Sequence, residues 1–331
     1  MLNIIEATLN EVKLGDPQHF RNMSVFPLLF SGKSKLEYSM LGRALNEGHI
    51  LITEISENGS VPELKLFNMS ESCILLLDGE ELEGAKQNRV LNTTLLVPPK
   101  SEMKVPVSCT EQGRWNRVSA EFQHSGKFLF RRARGNKMSR VHHSLKSGQG
   151  YRSNQQEVWK DISQLQSNRN THSPTSAMKD IYDKEKDNLN DFLNAFTLIE
   201  GQCGMIIGIG GQVAGLEYLS SSDRYSDVHR QLIESYTMDA LVEKLSGECP
   251  ELTLEESQSF LEQIWSATQE TFRSAAAGTD VRLESEHLVG SGLVEGEELI
   301  HLSAFALQTN DWQSDSPRIS RLLAHRHRRR S

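Results

Sequence analysis

Over its first 130 residues the chain alternates short apolar runs with turn-forming residues. Ser24–Phe30, His49–Ser56, Glu63–Asn68, Cys73–Leu77, Arg89–Val97, Glu102–Ser108 and Lys127–Arg131 are rich in Leu, Ile, Val and Phe, and predict strands. Cys73-Ile74-Leu75-Leu76-Leu77 is unbroken until Asp78-Gly79, the pattern of a strand covered on both faces. Pro98-Pro99 must end or edge the strand before it, because neither can donate to a ladder. Glu57-Asn58-Gly59-Ser60 is a hairpin signal, since Asn-Gly tolerates positive φ. Strands at this spacing predict a sandwich or an open barrel.

Beyond residue 150 the period changes. Gln155–Gln166, Ser176–Ile199, Asp223–Leu245 and Thr253–Ser274 carry apolar stripes at helical spacing, and Ser167–Pro174 is a polar linker. Thr253-Leu254-Glu255-Glu256 matches a capping box. Strands return at Cys203–Gly208, Gln212–Leu219 and Glu298–Leu307. The expected fold class is α+β, with a β-rich N-terminal sandwich or open barrel packed with a mixed, helix-rich C-terminal half. The expected layout is a β-rich part over 1–130, then a basic loop, short helix and polar linker over 131–175. Helices and returning strands follow over 176–310, packed on the first part as one unit, and an arginine-rich disordered tail closes 311–331.

Composition narrows the class. At 331 residues, 37% hydrophobic and 24% charged, the chain is neither collagen-like nor wholly disordered. No apolar stretch is long enough to span a bilayer, and the start, broken by Glu6, Glu11 and Lys13, does not read as a signal peptide. Cys73, Cys109, Cys203 and Cys249 form no CxxC, so a reduced, cytoplasmic protein without structural zinc is expected.

The net charge of −8 argues against broad nucleic-acid binding, but it is unevenly spread. From Phe122 to Gln156 there are eight Lys or Arg and no acid, which leaves −16 for the rest. One reading is an anion-facing lid; the other is a mobile, solvated loop rich in Ser, Gly, Asn and Gln. A nucleic-acid partner would have to use this window. A second cluster, Arg318 to Arg330, belongs to the tail.

The chemistry concentrates in Asp78–Arg89, directly after the apolar strand. Polar groups at a sheet rim sit on a rigid scaffold. Glu80 and Glu83 are candidate acids, bases or divalent-cation ligands; Lys86 and Arg89 suit phosphate or carboxylate; Gln87, Asn88 and Asn92 suit an amide, ribose or base edge. The alternative is a charged surface turn whose Glu and Lys pair with one another. A second cluster offers Cys109, Glu111, Arg114 and Trp115, with Arg114 and Trp115 matched to a phosphate and a planar ring. Cys109 would be a nucleophile only with a depressed pKa.

Glu80–Leu96 (EELEGAKQNRVLNTTLL) and Val105–Trp115 (VPVSCTEQGRW) resemble the ARG-and-rhodanese-phosphatase-associated protein domain. Shorter pieces agree, among them Gln156–Trp159, Gly208–Gly211 with Gly215–Tyr218, Ser235-Tyr236 with Asp239-Ala240, and His301–Phe305. The resemblance implies an association with NAD and ADP-ribose metabolism.

Other signals are weaker. Gly208-Ile209-Gly210-Gly211 lacks the third glycine of a dinucleotide fingerprint, since Val213 stands there, and a hairpin bend is expected instead. Glu157, Trp159, Tyr236, Asp239 and His301 are secondary candidates. Tyr236 and Asp239 share a helix face, and His301 would become a base if the fold set it beside Glu83 or Glu111. The combined reading is an enzyme on an ADP-ribose-like or NAD-derived nucleotide metabolite. Glu80, Glu83 and Glu111 act as acid, base or metal-orienting groups, and Lys86, Arg89 and Arg114 hold phosphate. A noncatalytic sensor using the same pocket, and a structural interaction protein, are the alternatives. No cofactor is implied beyond a divalent cation on the glutamates, the partner is a small phosphorylated metabolite, and the oligomeric state is left open.

Overall fold

The computed structural model describes residues 4–30, 32, 34–56, 61–243 and 249–307. The hairpin signal at 57–60 and the arginine tail lie outside them.

Cys73–Leu76 is the middle strand of a three-stranded sheet, parallel to Tyr38–Met40 and antiparallel to Leu95–Val97. Ile74 and Leu76 enter one hydrophobic cluster, while Leu75 and Leu77 enter another. Successive side chains point to opposite faces, so a strand between two cores needs an apolar residue at every position. Val97 ends its strand at the two prolines, and Gly79 takes φ +92° where the run turns.

A six-stranded antiparallel sheet lies beside it in the order Phe122–Phe128, Glu80–Gly84, Arg89–Leu91, Ser101–Cys109, Glu63–Asn68, Ile50–Glu54. A bridge between Thr53 and Glu121 joins its two outer strands, so the sheet curls back on itself. The inward positions include Ile52, Leu64, Leu82, Leu91, Val107 and Phe122. By the alternation of strands, Glu54, Arg89 and Cys109 continue the inward rows of Ile52, Leu91 and Val107 toward one end. Glu80 and His124 continue those of Leu82 and Phe122 toward the other, which the helix Leu41–Asn46 closes with Leu41 and Ala44. The charged stretch after Asp78 is therefore a strand, Glu80–Gly84, and the tight turn falls at 85–88.

The remaining strands form one nine-stranded antiparallel sheet. Met23–Leu29 pairs with Gln202–Ile209, so this strand belongs to the nine-stranded sheet. Gln202–Ile209 and Gln212–Leu219 are a hairpin turning on Gly210 and Gly211 at φ +58° and +76°, as expected. The back half is mixed, as expected: its frame is a sheet, with helices lying against it. The helix expected over Ser176–Ile199 is two, Lys179–Lys184 and Lys186–Ala195, and that over Asp223–Leu245 is Ser222–Ser226 followed by His229–Ala240. Thr253 forms its capping box, but the helix stops at Ser266, and Thr268–Arg273 pairs with Thr279–Glu284.

The acid-free window is the largest correction. Arg131–Lys146 is a 16-residue helix packed on the helix Gln155–Asn168, the helix His229–Ala240 and the strand Leu288–Glu295. It is neither lid nor linker: Arg131, Arg134 and Lys137 are buried. Its counter-charges come from remote parts of the chain. Arg134 pairs with Glu217, Lys137 with Asp78, and Lys146 with Glu270 and Glu284. Three of its cations thus point inward and offer no surface to nucleic acid.

Candidate functional site

The end of the curled sheet that holds Arg89 carries the densest chemistry. Arg89 is fully buried; its Nη1 donates to Gln87 Oε1 at 2.9 Å and to the Cys109 sulfur. Its Nη2 stands 3.6 Å from Glu54 Oε1, an ion pair too long for a hydrogen bond. Arg89 Nε and Nη2 and both Glu54 carboxylate oxygens are buried with no hydrogen-bond partner among the described residues. Glu54 lines a cleft of about 370 Å³ with Thr53, Ser56, Lys86, Arg117, Ala120 and Glu121. Trp115 is 45% exposed, and its ring centroid lies 5.4 Å from Lys86 Nζ and 5.8 Å from the Arg89 guanidinium. Cys109 is no ready nucleophile: burial pushes its thiol up to about 11, against the pull of Arg89.

The turn that presents Lys86 is stapled from below. Arg114 donates to Glu111 Oε2, to the Ala85 carbonyl and to Asn88 Oδ1 at 2.8, 2.8 and 3.0 Å. Glu111 also accepts from Thr175 Oγ1 and the Asn88 N–H. Burial pushes the Glu111 carboxyl up, but the bonds from Arg114 and Thr175 and the Arg114 charge outweigh it and hold the group below its ordinary value. Ala85 takes φ +41° within this frame. Glu111, Arg114 and Asn88 therefore shape the turn and do not line the cleft. Asn92 is likewise internal, donating to the Tyr151 carbonyl and accepting from Ser108 Oγ.

Glu80 and Glu83 go elsewhere. Glu83 is half exposed and accepts from Lys179 Nζ at 2.7 Å on both oxygens. Glu80 accepts from the Leu77 N–H at 2.6 Å, and its other oxygen stands 3.2 Å from His124 Nε2. These two residues line a separate cleft of about 410 Å³ with Arg43, Asn46, Glu47, Asp227 and Gln231. The three glutamates singled out by sequence thus never meet.

The secondary candidates lie away from the Glu54 cleft. Glu157 pairs with Arg140, Trp159 is partly buried, and Asp239 Oδ2 accepts from the Arg132 N–H. Tyr236 donates to Glu217 Oε1 at 3.0 Å. His301 sits beside Thr94 and Glu217, not beside Glu83 or Glu111, and burial with the nearby Arg134 charge drives its pKa down to about 3. It belongs to a buried polar lock between the two halves, in which Arg282 also bonds Asp280 and Thr93.

Glu54, Arg117, Glu121 and His124 escaped the sequence reading. A signal existed for Glu54, a carboxylate in phase with the core positions Ile50 and Ile52. His124 falls two residues after the core Phe122 in the same way.

Among the described residues no three His, Cys, Asp or Glu gather as a metal ion would need, and no helix is long and apolar enough to cross a membrane. The fold is a mixed α+β architecture whose curled sheet opens on a cleft lined by Lys86 and Arg117 together with Glu54 and Glu121. The chain belongs to the family described as the ARG and Rhodanese-Phosphatase-superfamily-associated Protein domain, which it matches over residues 11–305. Searches of the curated proteins and of the solved structures found no match.

Proposed function

We propose that the Arg89 end of the curled sheet takes a phosphorylated, nucleotide-derived metabolite of the ADP-ribose or NAD-derived kind and hydrolyses it. The observation that carries this reading is the co-location of Lys86 and Arg117 with two carboxylates, Glu54 and Glu121, in one 370 Å³ cleft. That volume suits a small-molecule site. Lys86 and Arg117 would bind phosphate, Trp115 offers a planar face, and a cleft carboxylate would move the proton. The chemistry expected of Glu80, Glu83 and Glu111 is thus assigned to Glu54 and Glu121.

The test is turnover: NAD, ADP-ribose and ADP-ribose phosphates are incubated with the protein, and products are followed by chromatography. Product should form, fall by about 10²-fold or more in Glu121→Gln, and persist in Glu83→Gln. Binding without any product over hours would overturn hydrolysis and leave a noncatalytic binding module. The engagement of Glu80, Glu83 and Glu111 in structural bonds favours that second reading.

A further inference from the structure

The end of the curled sheet opposite Arg89 brings Glu80 and His124 together in the wall of the second cleft. Glu80 is fully buried and held at both carboxylate oxygens: one accepts from the Leu77 N–H at 2.6 Å, and the other stands 3.2 Å from His124 Nε2. A carboxylate fixed in this way can only accept, so it draws the imidazole proton to Nε2 and leaves Nδ1 as the basic nitrogen. Nδ1 has no hydrogen-bond partner among the described residues and is not sealed from solvent, and the His124 side chain is 12% exposed. Gly42, in the same wall, flanks that nitrogen: an added Cβ would lie 3.2 Å from Nδ1. Glycine there leaves the base uncovered.

We propose that His124 is the general base of a second hydrolytic site, where water attacks an uncharged or cationic carbonyl ester. Among the described residues, no hydroxyl, thiol or amine lines this cleft, so the nucleophile is water and not a side chain. Three carboxylates, Glu47, Glu80 and Asp227, share the wall with one guanidinium, Arg43, which Asp227 already engages at 2.8 Å. That balance repels a phosphate and sets this site apart from the Arg89 cleft. Asn46 and Gln231 bring amide N–H groups to the same wall, donors suited to a carbonyl oxygen as negative charge develops on it. In the reaction, Nδ1 takes a proton from water as the water oxygen bonds to the acyl carbon. The bond to the leaving oxygen then breaks, and the proton passes from Nδ1 to that oxygen, giving an acid and an alcohol. Glu80 acts only through His124 and is a positioning residue.

Hydrolysis of p-nitrophenyl acetate by the full chain tests this, with release of nitrophenolate as the readout. Turnover should fall by about 10²-fold or more in His124→Gln, and stay at the wild-type rate in Lys86→Ala, which belongs to the other cleft. Mono-p-nitrophenyl succinate, a similar ester carrying a negative charge, should be the poorer substrate. Glu80→Gln should lower kcat with KM unchanged. Its amide oxygen takes the Leu77 N–H, its NH₂ turns to Nε2, and the imidazole proton moves to Nδ1. Nitrogen NMR of His124 at about pH 8.5 reads that exchange directly, with the proton on Nε2 in wild type and on Nδ1 in the variant. Wild-type turnover no faster than that of His124→Gln would overturn the proposal. Should His124→Gln fail to fold, Gly42→Ala takes its place, since alanine suits a helix and covers the base; undiminished turnover there would overturn it equally. A proton on Nδ1 in wild type would leave Glu80 and His124 as a structural pair only, and faster turnover of the succinate ester would refute the substrate class.

Discussion

Arg134 Nη1 and Nη2 donate to the two oxygens of Glu217 at 2.6 and 3.3 Å, and neither residue is exposed by more than 1%. The pair unites the helix Arg131–Lys146 with the middle of the nine-stranded sheet, and Tyr236 donates to the same carboxylate. Removing one member leaves the other charge buried without its partner. Glu217→Gln should therefore cost about 3–5 kcal/mol in urea unfolding, and Arg134→Met with Glu217→Leu together should recover much of that loss. A single variant as stable as wild type would contradict the burial.

The packing of that helix makes a second expectation. Trypsin needs an extended, accessible segment, and Arg131, Arg134 and Lys137 offer none in the native state. The loop 112–120 is mostly exposed and carries Arg117. Limited digestion should cut at Arg117 before any bond in 131–146, as read by mass spectrometry. Early cleavage at Arg132, Arg134 or Lys137 would place the helix outside the fold.

Why the helix was invisible in the sequence is a matter of range. Local charge counting sees eight cations with no acid and concludes repulsion, yet Glu217 lies 83 residues from Arg134 and Asp78 lies 59 from Lys137. Strand existence was more legible: Glu63–Asn68 matches its expected bounds, and Cys73–Leu76 meets two cores as its unbroken apolar run implies. Thr268–Arg273 continues the helical pattern locally, and its tertiary partner, Thr279–Glu284, decides that it is a strand. The site divided along the same line. Lys86 reaches the cleft from the motif, but Glu54 and Glu121 are brought beside it by sheet closure; the phase of Ile50 and Ile52 turns Glu54 inward without showing what it faces.

Two buried groups act on stability with opposite signs. Burial raises Glu81 to about 7, against the hydrogen bond from Thr110, so the folded state holds a proton that the unfolded chain has released. Its contribution is complete below about pH 4.5 and is lost as pH rises through 7. His301, held down to about 3, works the other way: its contribution is present above about pH 6.5 and is lost as pH falls toward 3. Unfolding free energies measured from pH 4.5 to 6.5 should show it. Relative to wild type, Glu81→Gln should make stability rise more steeply with pH, and His301→Asn less steeply, each by about 1.4 kcal/mol per pH unit. Unchanged slopes would mean that neither group is perturbed.

The last expectation separates Glu83 from Arg114, two charged residues named from the same motif region. Glu83 is 41% exposed on its side chain and meets Lys179 at the surface, where an ion pair contributes little. Glu83→Gln should shift stability by less than about 1 kcal/mol and leave AMP and pyrophosphate affinity unchanged. Arg114 is different, because its planar fork reaches Glu111, Ala85 and Asn88 together and so fixes the turn that carries Lys86. A lysine can replace the charge but not those directions. Arg114→Lys should cost about 1.5–3 kcal/mol, and it should weaken pyrophosphate binding although Arg114 does not line the cleft. Thermal melts and calorimetry on the two variants decide it. A Glu83→Gln protein that loses affinity while Arg114→Lys retains it would return the site to the exposed glutamate and away from the Arg89 cleft.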